Sequence, residues 1–391
     1  MRHTYARIDL NALTYNLTLL KAYSPSSRVV AVVKADSYGH GAIQVARHIE
    51  DDVDMFAVAF IDEALDLREA GISKPILILQ GPHQAHELKL TFSENLHWMV
   101  HNRAQLAWLG ELKERSSLGA HLWLKFDTGM HRLGFPIEDF EKIIAENTSV
   151  INRHSVIATH LACADEPNNS HAATQISSFL DKAKAHGFAL SIANSAGAIE
   201  HKDAKQDYNR IGITLYGSSP FPSDYKLPRL PELPSELSKT MSSDKQNNSI
   251  TRPTLKPAMT LVAKVVAIRH IPKGDTVGYG ATWQAQRQTT IATVSIGYAD
   301  GYPRHAPSGT PAYCKGQRIK LVGRVSMDML TFDVTDHSNI DLFDEVELWG
   351  EHVSVNEVAE HVGTIGYELM TRISSRVKRK YQGVMTNERS E

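Results

Sequence analysis

The chain has 391 residues, 42 Lys and Arg against 44 Asp and Glu, a formal net charge of −2 with histidines neutral, and two cysteines, Cys163 and Cys314. This near balance leaves no electrostatic footprint for nucleic acid or an anionic surface, and two thiols exclude a disulfide framework and suit a reducing compartment. The length accommodates two domains, no apolar run reaches a membrane span, and Met1-Arg2-His3-Thr4-Tyr5 opens no signal-peptide pattern, so the expectation is a soluble cytoplasmic protein.

Asp9 stands as an N-cap before Leu10, Leu13, Leu17 and Leu20, whose spacing predicts a helix. Apolar runs at 29–33, 55–59, 76–79, 96–100, 120–126, 155–160, 188–193 and 210–215 read as strands. Among the helical patterns between them, 61–70 is closed by Gly71, and 136–147 opens with Pro136 at a first-turn position. Strand alternating with helix means a parallel sheet, and eight such units predict an α/β fold whose N-terminal part, 9–220, is a (β/α)8 TIM-like barrel. A doubly wound open sheet is the alternative. The chain then turns rich in Pro, Ser and charge, so 221–257 is expected to be a linker, with a mobile polar segment at 242–249. Beyond it, short runs at 261–268, 290–296, 317–322, 330–334 and 344–349 are divided by Gly, Pro and Asp turns, with one helix at 354–362. They predict a mainly β C-terminal domain over 258–391, which residues 1–8 would join.

Barrels keep their chemistry at the C-terminal ends of the strands, and that rule gathers scattered residues into one candidate site. Lys34 closes the first apolar run and is followed at once by a glycine-flanked turn. Desolvation lowers the pKa of an ammonium and makes the amine nucleophilic, as a Schiff base with a carbonyl cofactor requires. A lysine that snorkels to solvent fits the same spacing. Lys125, Asp127 and Arg132 lie at or after the end of strand five, His160 closes strand six, and Asn194 and Ser195 follow strand seven. Arg210 begins strand eight, with Gly212 and Ile213 just after it. Ser195 opens a helix, whose N-terminus favours phosphate, and barrels often place phosphate after strands seven and eight. As a bare N-cap, Ser195 would need no ligand. His83 and His86 form an HxxH pair without a third ligand, so no metal is expected. The Lys378-Arg379-Lys380 run reads as a solvated terminus.

Nine ordered motifs run from Ile8 to Lys380: VVKADSYGHG, KFDTGMHRLG, THLACADE, ANSAGA, RIGITLYG, VGYGATW, SIGYADGYPR, GRVSMDM and TIGYELMTR. In their order and spacing the chain resembles the alanine racemases, fold-type III enzymes dependent on pyridoxal 5′-phosphate. The resemblance implies that Lys34 carries the cofactor, that Tyr38, Ser195, Gly212, Ile213 and Tyr367 contact its phosphate, with Asn194 beside them, that His160 packs on its ring, and that Arg210 faces the ring nitrogen. It implies two bases for the two faces of the α-carbon, Lys34 for the D-face and Tyr279 for the L-face. From the β domain alone, Tyr279 is equally a turn aromatic between glycines. Further implications are a substrate carboxylate held by Arg132 and the Met327 N–H, a carbamate on Lys125, for which an ordinary lysine bound to Asp127 is the other reading, and Tyr298 and Asp328 lining the entrance. The family's tyrosine reaches the site from the other subunit, so a homodimer with shared sites follows. Departures from the family pattern are Asp36-Ser37, His131, Ser326 and Gly366, the last expected to loosen the Tyr367 segment. The function implied is interconversion of L- and D-alanine, supplying D-alanine for peptidoglycan. The rivals are a racemase of broader or different specificity and a non-catalytic pyridoxal-phosphate carrier.

Overall fold

The computed structural model describes residues 4–112, 115–230 and 253–383. The polar segment 242–249 and the last eight residues of the expected C-terminal domain lie outside the described residues.

Asp9 ends the first strand, Tyr5–Asp9, and caps the helix Leu10–Tyr23, its carboxylate accepting from the N–H groups of Asn11 at 2.9 Å and Ala12 at 3.3 Å. Eight parallel strands follow: Arg28–Val32, Met55–Val58, Ile76–Ile78, Leu96–Val100, Leu122–Asp127, Val156–Ala158, Ala189–Ser191 and Tyr208–Ile211. The eighth pairs with the first, leaving one seam between the seventh and eighth. A bond from the Arg210 N–H to Ala193 O at 3.0 Å crosses that seam, so the barrel is nearly closed. The strands are buried on both faces, which explains their unbroken apolar runs. Phe56, Trp98, Trp123 and Phe126 are fully buried, each contributing about 1.5–3 kcal/mol by leaving water.

Two sequence expectations shift. The eighth strand starts at Tyr208, so Arg210 lies near its C-terminal end rather than its beginning. The apolar run 211–215 suggested a later strand, but Gly212 breaks it and Ile213–Tyr216 is a 3-10 turn facing the first helix, where Asn16 donates to Leu215 O at 3.0 Å. Pro136 sits in a two-residue strand, Phe135–Pro136, at φ −52° and ψ 136°. The helix therefore starts later, at Phe140–Glu146.

The second domain is an eight-stranded sheet, almost wholly antiparallel. Its long strand Met259–Ile271 pairs with both Glu345–Trp349 and Thr289–Val294, closing a six-stranded ring through Leu330–Asp333, Gln317–Leu321 and Pro311–Cys314. A bulge between Val265 and Ala267 bends that strand. Tyr5–Asp9 adds to the other end, antiparallel to Met259–Ile271 and parallel to the final strand Lys378–Gln382. Two helices, Val355–Val362 capped by Ser354 and Gly366–Thr371, lead into that final strand.

Candidate active site

Lys34 opens a turn, Lys34–Gly39, in which Ala35, Asp36, Ser37 and Tyr38 all take left-handed dihedrals with φ of 52 to 53°. For L-residues that hand costs about 1–2 kcal/mol each, so neighbouring groups must hold the turn. The Ala35 N–H donates to the Glu63 carboxylate at 2.6 Å, and the Asp36 carboxylate accepts from the Ala42 N–H at 2.7 Å. His40 Nδ1 donates to Ser37 O at 2.9 Å and Tyr38 O at 3.0 Å. Burial lowers the His40 imidazole to about 4, so it is neutral and Nδ1 carries its proton. The turn delivers the buried Tyr38 ring beside Tyr216 at 4.9 Å and Tyr367 at 6.0 Å. Tyr38 Oη lies so near Gly212 that a Cβ there would stand 2.6 Å away.

These groups line a cavity of about 890 Å3 at the C-terminal mouth of the barrel, shared by Lys34, Tyr38, Lys125, Arg132, His160, Asn194, Ser195, Arg210, Gly212, Ile213 and Tyr367. Asn194 is the N-cap of the helix Ser195–Glu200, its side chain accepting from the Gly197 N–H at 2.9 Å. That leaves the Ser195 hydroxyl to accept from the Gly212 N–H at 2.9 Å, which joins the loops after strands seven and eight.

Arg210 is buried, and its guanidinium is fixed by carbonyls: Ser191 O at 3.0 Å, Thr159 O at 2.6 Å and Ile192 O at 3.1 Å, together with Ser191 Oγ. Burial lowers it to about 10, which still leaves it charged at neutral pH. One Nη lies 3.4 Å from His160 Nδ1. A guanidinium only donates, so His160 Nδ1 accepts and its proton sits on Nε2. Burial, then Arg210 and Lys125, hold His160 well below the usual histidine range.

Lys34 is lowered by burial and by Arg132, against the opposing pull of Glu63. Burial and the cations Arg210 and Arg132 lower Lys125 to about 8. No ion pair among the described residues joins Lys125 to Asp127. The Asp127 carboxylate instead accepts from the N–H groups of Gly129, Met130 and His131 at 3.0, 3.0 and 3.1 Å and folds the loop that carries Arg132.

Tyr279, Tyr298, Met327 and Asp328 do not line this cavity. They form a separate exposed face of the β domain, where Tyr279 is 68% and Met327 53% exposed. A Cβ on Gly280 would stand 3.0 Å from an Arg324 Nη, so the Tyr279 turn sits against that guanidinium. Tyr298 N–H donates to Ser326 O at 3.1 Å and Ala299 N–H to Met327 O at 3.0 Å, locking the two turns together. Arg376 ties Asp328, at 2.5 Å, to the buried Asp300 at 3.5 Å. The cavity also holds Gln80 and Met99, which sequence reasoning passed over. Gln80 follows the strand Ile76–Ile78 and Met99 is the penultimate residue of Leu96–Val100, so the strand-end rule could have found them. Ile365 and Thr371 flank Tyr367 and were passed over too. Gly366 does not loosen its segment: it is buried, and a Cβ there would meet Ser218 Oγ at 2.7 Å and Asn356 Oδ1 at 2.9 Å. Among the described residues no cluster of His, Cys, Asp or Glu could hold a metal, and no helix is long and apolar enough to cross a membrane.

Comparison with known proteins matches residues 8–220 to the family described as alanine racemase, N-terminal domain, and residues 258–381 to alanine racemase, C-terminal domain. An alanine racemase of Alteromonas mediterranea is 44% identical over 378 residues, 97% of this chain and 98% of that one. The crystal structure of a biosynthetic alanine racemase from Pseudomonas aeruginosa superposes with a TM-score of 0.86 at 39% identity, covering 98% of this chain and 100% of that one. Another, from Bartonella henselae with covalently bound pyridoxal phosphate, has a TM-score of 0.81 at 28% identity, covering 97% of this chain and 99% of that one.

Proposed function

This chain belongs to the alanine racemase family, and from that premise we propose that it interconverts L- and D-alanine with pyridoxal 5′-phosphate, as a homodimer with shared sites that supplies D-alanine for peptidoglycan. The observation that carries the reading is the convergence, in one cavity, of a partly desolvated lysine, a carbonyl-clamped arginine and a cradle built from Tyr38, Ser195 and Gly212.

The residues present fit a phosphorylated pyridine aldehyde. Lys34 Nζ is the amine that would hold it, and its lowered pKa supplies the free base that attachment needs. Only a glycine at 212 lets Tyr38 Oη approach this closely, and phosphate oxygens would sit in the cavity among Tyr38, Ser195, Gly212, Ile213 and Tyr367, with Asn194 capping the helix behind them. His160 suits the ring face, and Arg210, a donor with no acceptor, suits an unprotonated ring nitrogen. The chemistry such a group supplies is withdrawal of electrons from the substrate α-carbon, which acidifies its C–H bond.

Everything else falls to the chain itself. Arg132 and the Met327 N–H hold the substrate carboxylate, the arginine through its fork of donors. The Met327 carbonyl already accepts from Ala299, which fixes the orientation of that backbone. Lys34 Nζ takes or returns the α-proton on the D-face, and Tyr279 Oη does so on the L-face. Tyr279 is too exposed to act in its own subunit's cavity. A second copy that laid its Tyr279, Met327, Tyr298 and Asp328 face over the barrel mouth would cover both the face and the cavity. A two-fold pair in which the β domain of each copy faces the barrel of the other completes both sites at once.

The test is racemisation over alanine, serine and lysine with added cofactor. Alanine is expected to turn over fastest. Faster turnover of serine or lysine would give the site a different substrate, and cofactor binding without α-proton exchange would make the protein a carrier.

Lys125 is proposed to carry a carbamate whose negative charge orients Arg132. Its amine is lowered to about 8 and forms no ion pair with a carboxylate among the described residues, so the free base that adds carbon dioxide is well populated in mild alkali. With 13C-bicarbonate, a carbamate carbon signal is expected at pH 8.5 and absent from Lys125→Ala; a signal that survives the substitution would remove Lys125 from this role.

A further inference from the structure

Arg379 belongs to the final strand of the β domain, yet its guanidinium works at the back of the proposed phosphate cradle. Nε donates to Gly39 O at 2.9 Å. Nη1 donates to Ser374 O and Val377 O, each at 2.8 Å, and Nη2 to Ile373 O at 2.8 Å. Among the described residues no carboxylate forms an ion pair with it. A charge placed wholly on carbonyl oxygens is acting as a fastener, because charge-assisted hydrogen bonds are roughly twice as strong as neutral ones.

The two backbones it fastens matter. Gly39 ends the left-handed turn and directly follows Tyr38. Ile373 and Ser374 come just after Arg372, the C-cap of the helix Gly366–Thr371, which carries Tyr367. The two backbones touch: a Cβ on Gly39 would stand 2.2 Å from Met370 O. Two residues further along the same face of the final strand, Tyr381 Oη donates to His40 O at 3.1 Å. His40 in turn donates to the carbonyls of Ser37 and Tyr38. A chain of contacts thus runs from the last strand into both tyrosine-bearing walls.

We infer that Arg379 is a positioning residue for the cofactor phosphate, setting the spacing of Tyr38 and Tyr367 by bridging the turn that bears one and the segment that follows the other. The inference rests on the reading of the cavity as a pyridoxal-phosphate site. It gives the β domain a second part in that site, acting within its own subunit.

The discriminating probe is pyridoxal, which has the same ring and aldehyde without the phosphate. Cofactor is stripped from the purified full-length enzyme, and both compounds are titrated by absorbance. Arg379→Lys keeps the charge, but one ammonium cannot reach both Gly39 and Ile373. It is expected to weaken pyridoxal phosphate about tenfold while changing pyridoxal by less than about twofold. Tyr381→Phe, which removes only the bond to His40 O, is expected to shift the same ratio by about threefold and decides the matter if Arg379→Lys does not fold. Equal weakening of both compounds, or no weakening of pyridoxal phosphate, overturns the inference. If the unmodified protein takes up no pyridoxal phosphate, the reading of the cavity fails first, a result distinct from an unchanged ratio in the variants.

Discussion

Replacing Lys34 by alanine is expected to lower alanine racemisation by at least about ten-thousand-fold, the scale of one lost acid–base group, with the lost covalent attachment added to it. Lys34 is the amine at the head of the left-handed turn, and no substitute stands close by in the chain: Lys125, the other lysine of the cavity, lies on the fifth strand. Borohydride reduction followed by peptide mass analysis should find the cofactor mass on the Lys34 peptide of the parent protein and nowhere on the variant. The phosphate cradle is untouched by this change, so the variant should still bind pyridoxal phosphate, more weakly and without the linkage. Substantial racemisation by Lys34→Ala would remove the lysine from both of its proposed duties.

The second large effect is directional. Tyr279→Phe should suppress α-proton exchange from L-alanine by about 10²–10⁴-fold, and far less from D-alanine, as read by deuterium uptake from solvent in each starting enantiomer. Equal loss in both directions would contradict the assignment of faces. The same residue tests the assembly. Tyr279 sits on an exposed face apart from its own cavity. Mixing Lys34→Ala chains with Tyr279→Phe chains, after subunit exchange, should regenerate about a quarter of the parent activity, since half of the dimers are mixed and each holds one intact site. Two inactive variants that stay inactive when mixed would place both bases in one subunit.

Much of the site was legible because barrels gather chemistry at one rim. Lys34 and Ser195 follow from apolar runs that end in polar residues, whatever the error in each boundary, whereas Arg210 was read at the wrong end of its strand. What the chain did not disclose is the shape of the connection. Four consecutive left-handed residues after Lys34 leave no compositional trace, since Ala35, Asp36 and Ser37 are ordinary in any turn. The eighth strand was misplaced because apolar side chains pack equally well from a 3-10 turn as from a strand. The strand Tyr5–Asp9 is short, and the edge strand Lys378–Gln382 opens with three successive cations, among which Arg379 looked like one of three solvated charges. Its carbonyl partner Gly39 is 340 positions away, and only the fold brings them together. Tyr279 was legible through resemblance alone: its neighbours are glycines, and its proposed work lies outside its own subunit.

The strand Tyr5–Asp9 lies between Met259–Ile271 and Lys378–Gln382, so the barrel is an insertion within the β domain. During synthesis this strand leaves the ribosome before its partners, which arrive roughly 250 and 370 residues later. At ordinary elongation rates that is a wait of about ten seconds to a minute, during which an unpaired strand edge is exposed beside a barrel that can already close. Its alternating pattern, in which Arg7 and Asp9 alternate with buried Ala6 and Ile8, keeps charge on one face of that strand through the interval. The β domain therefore completes last, by bringing together the segments that flank the barrel on either side.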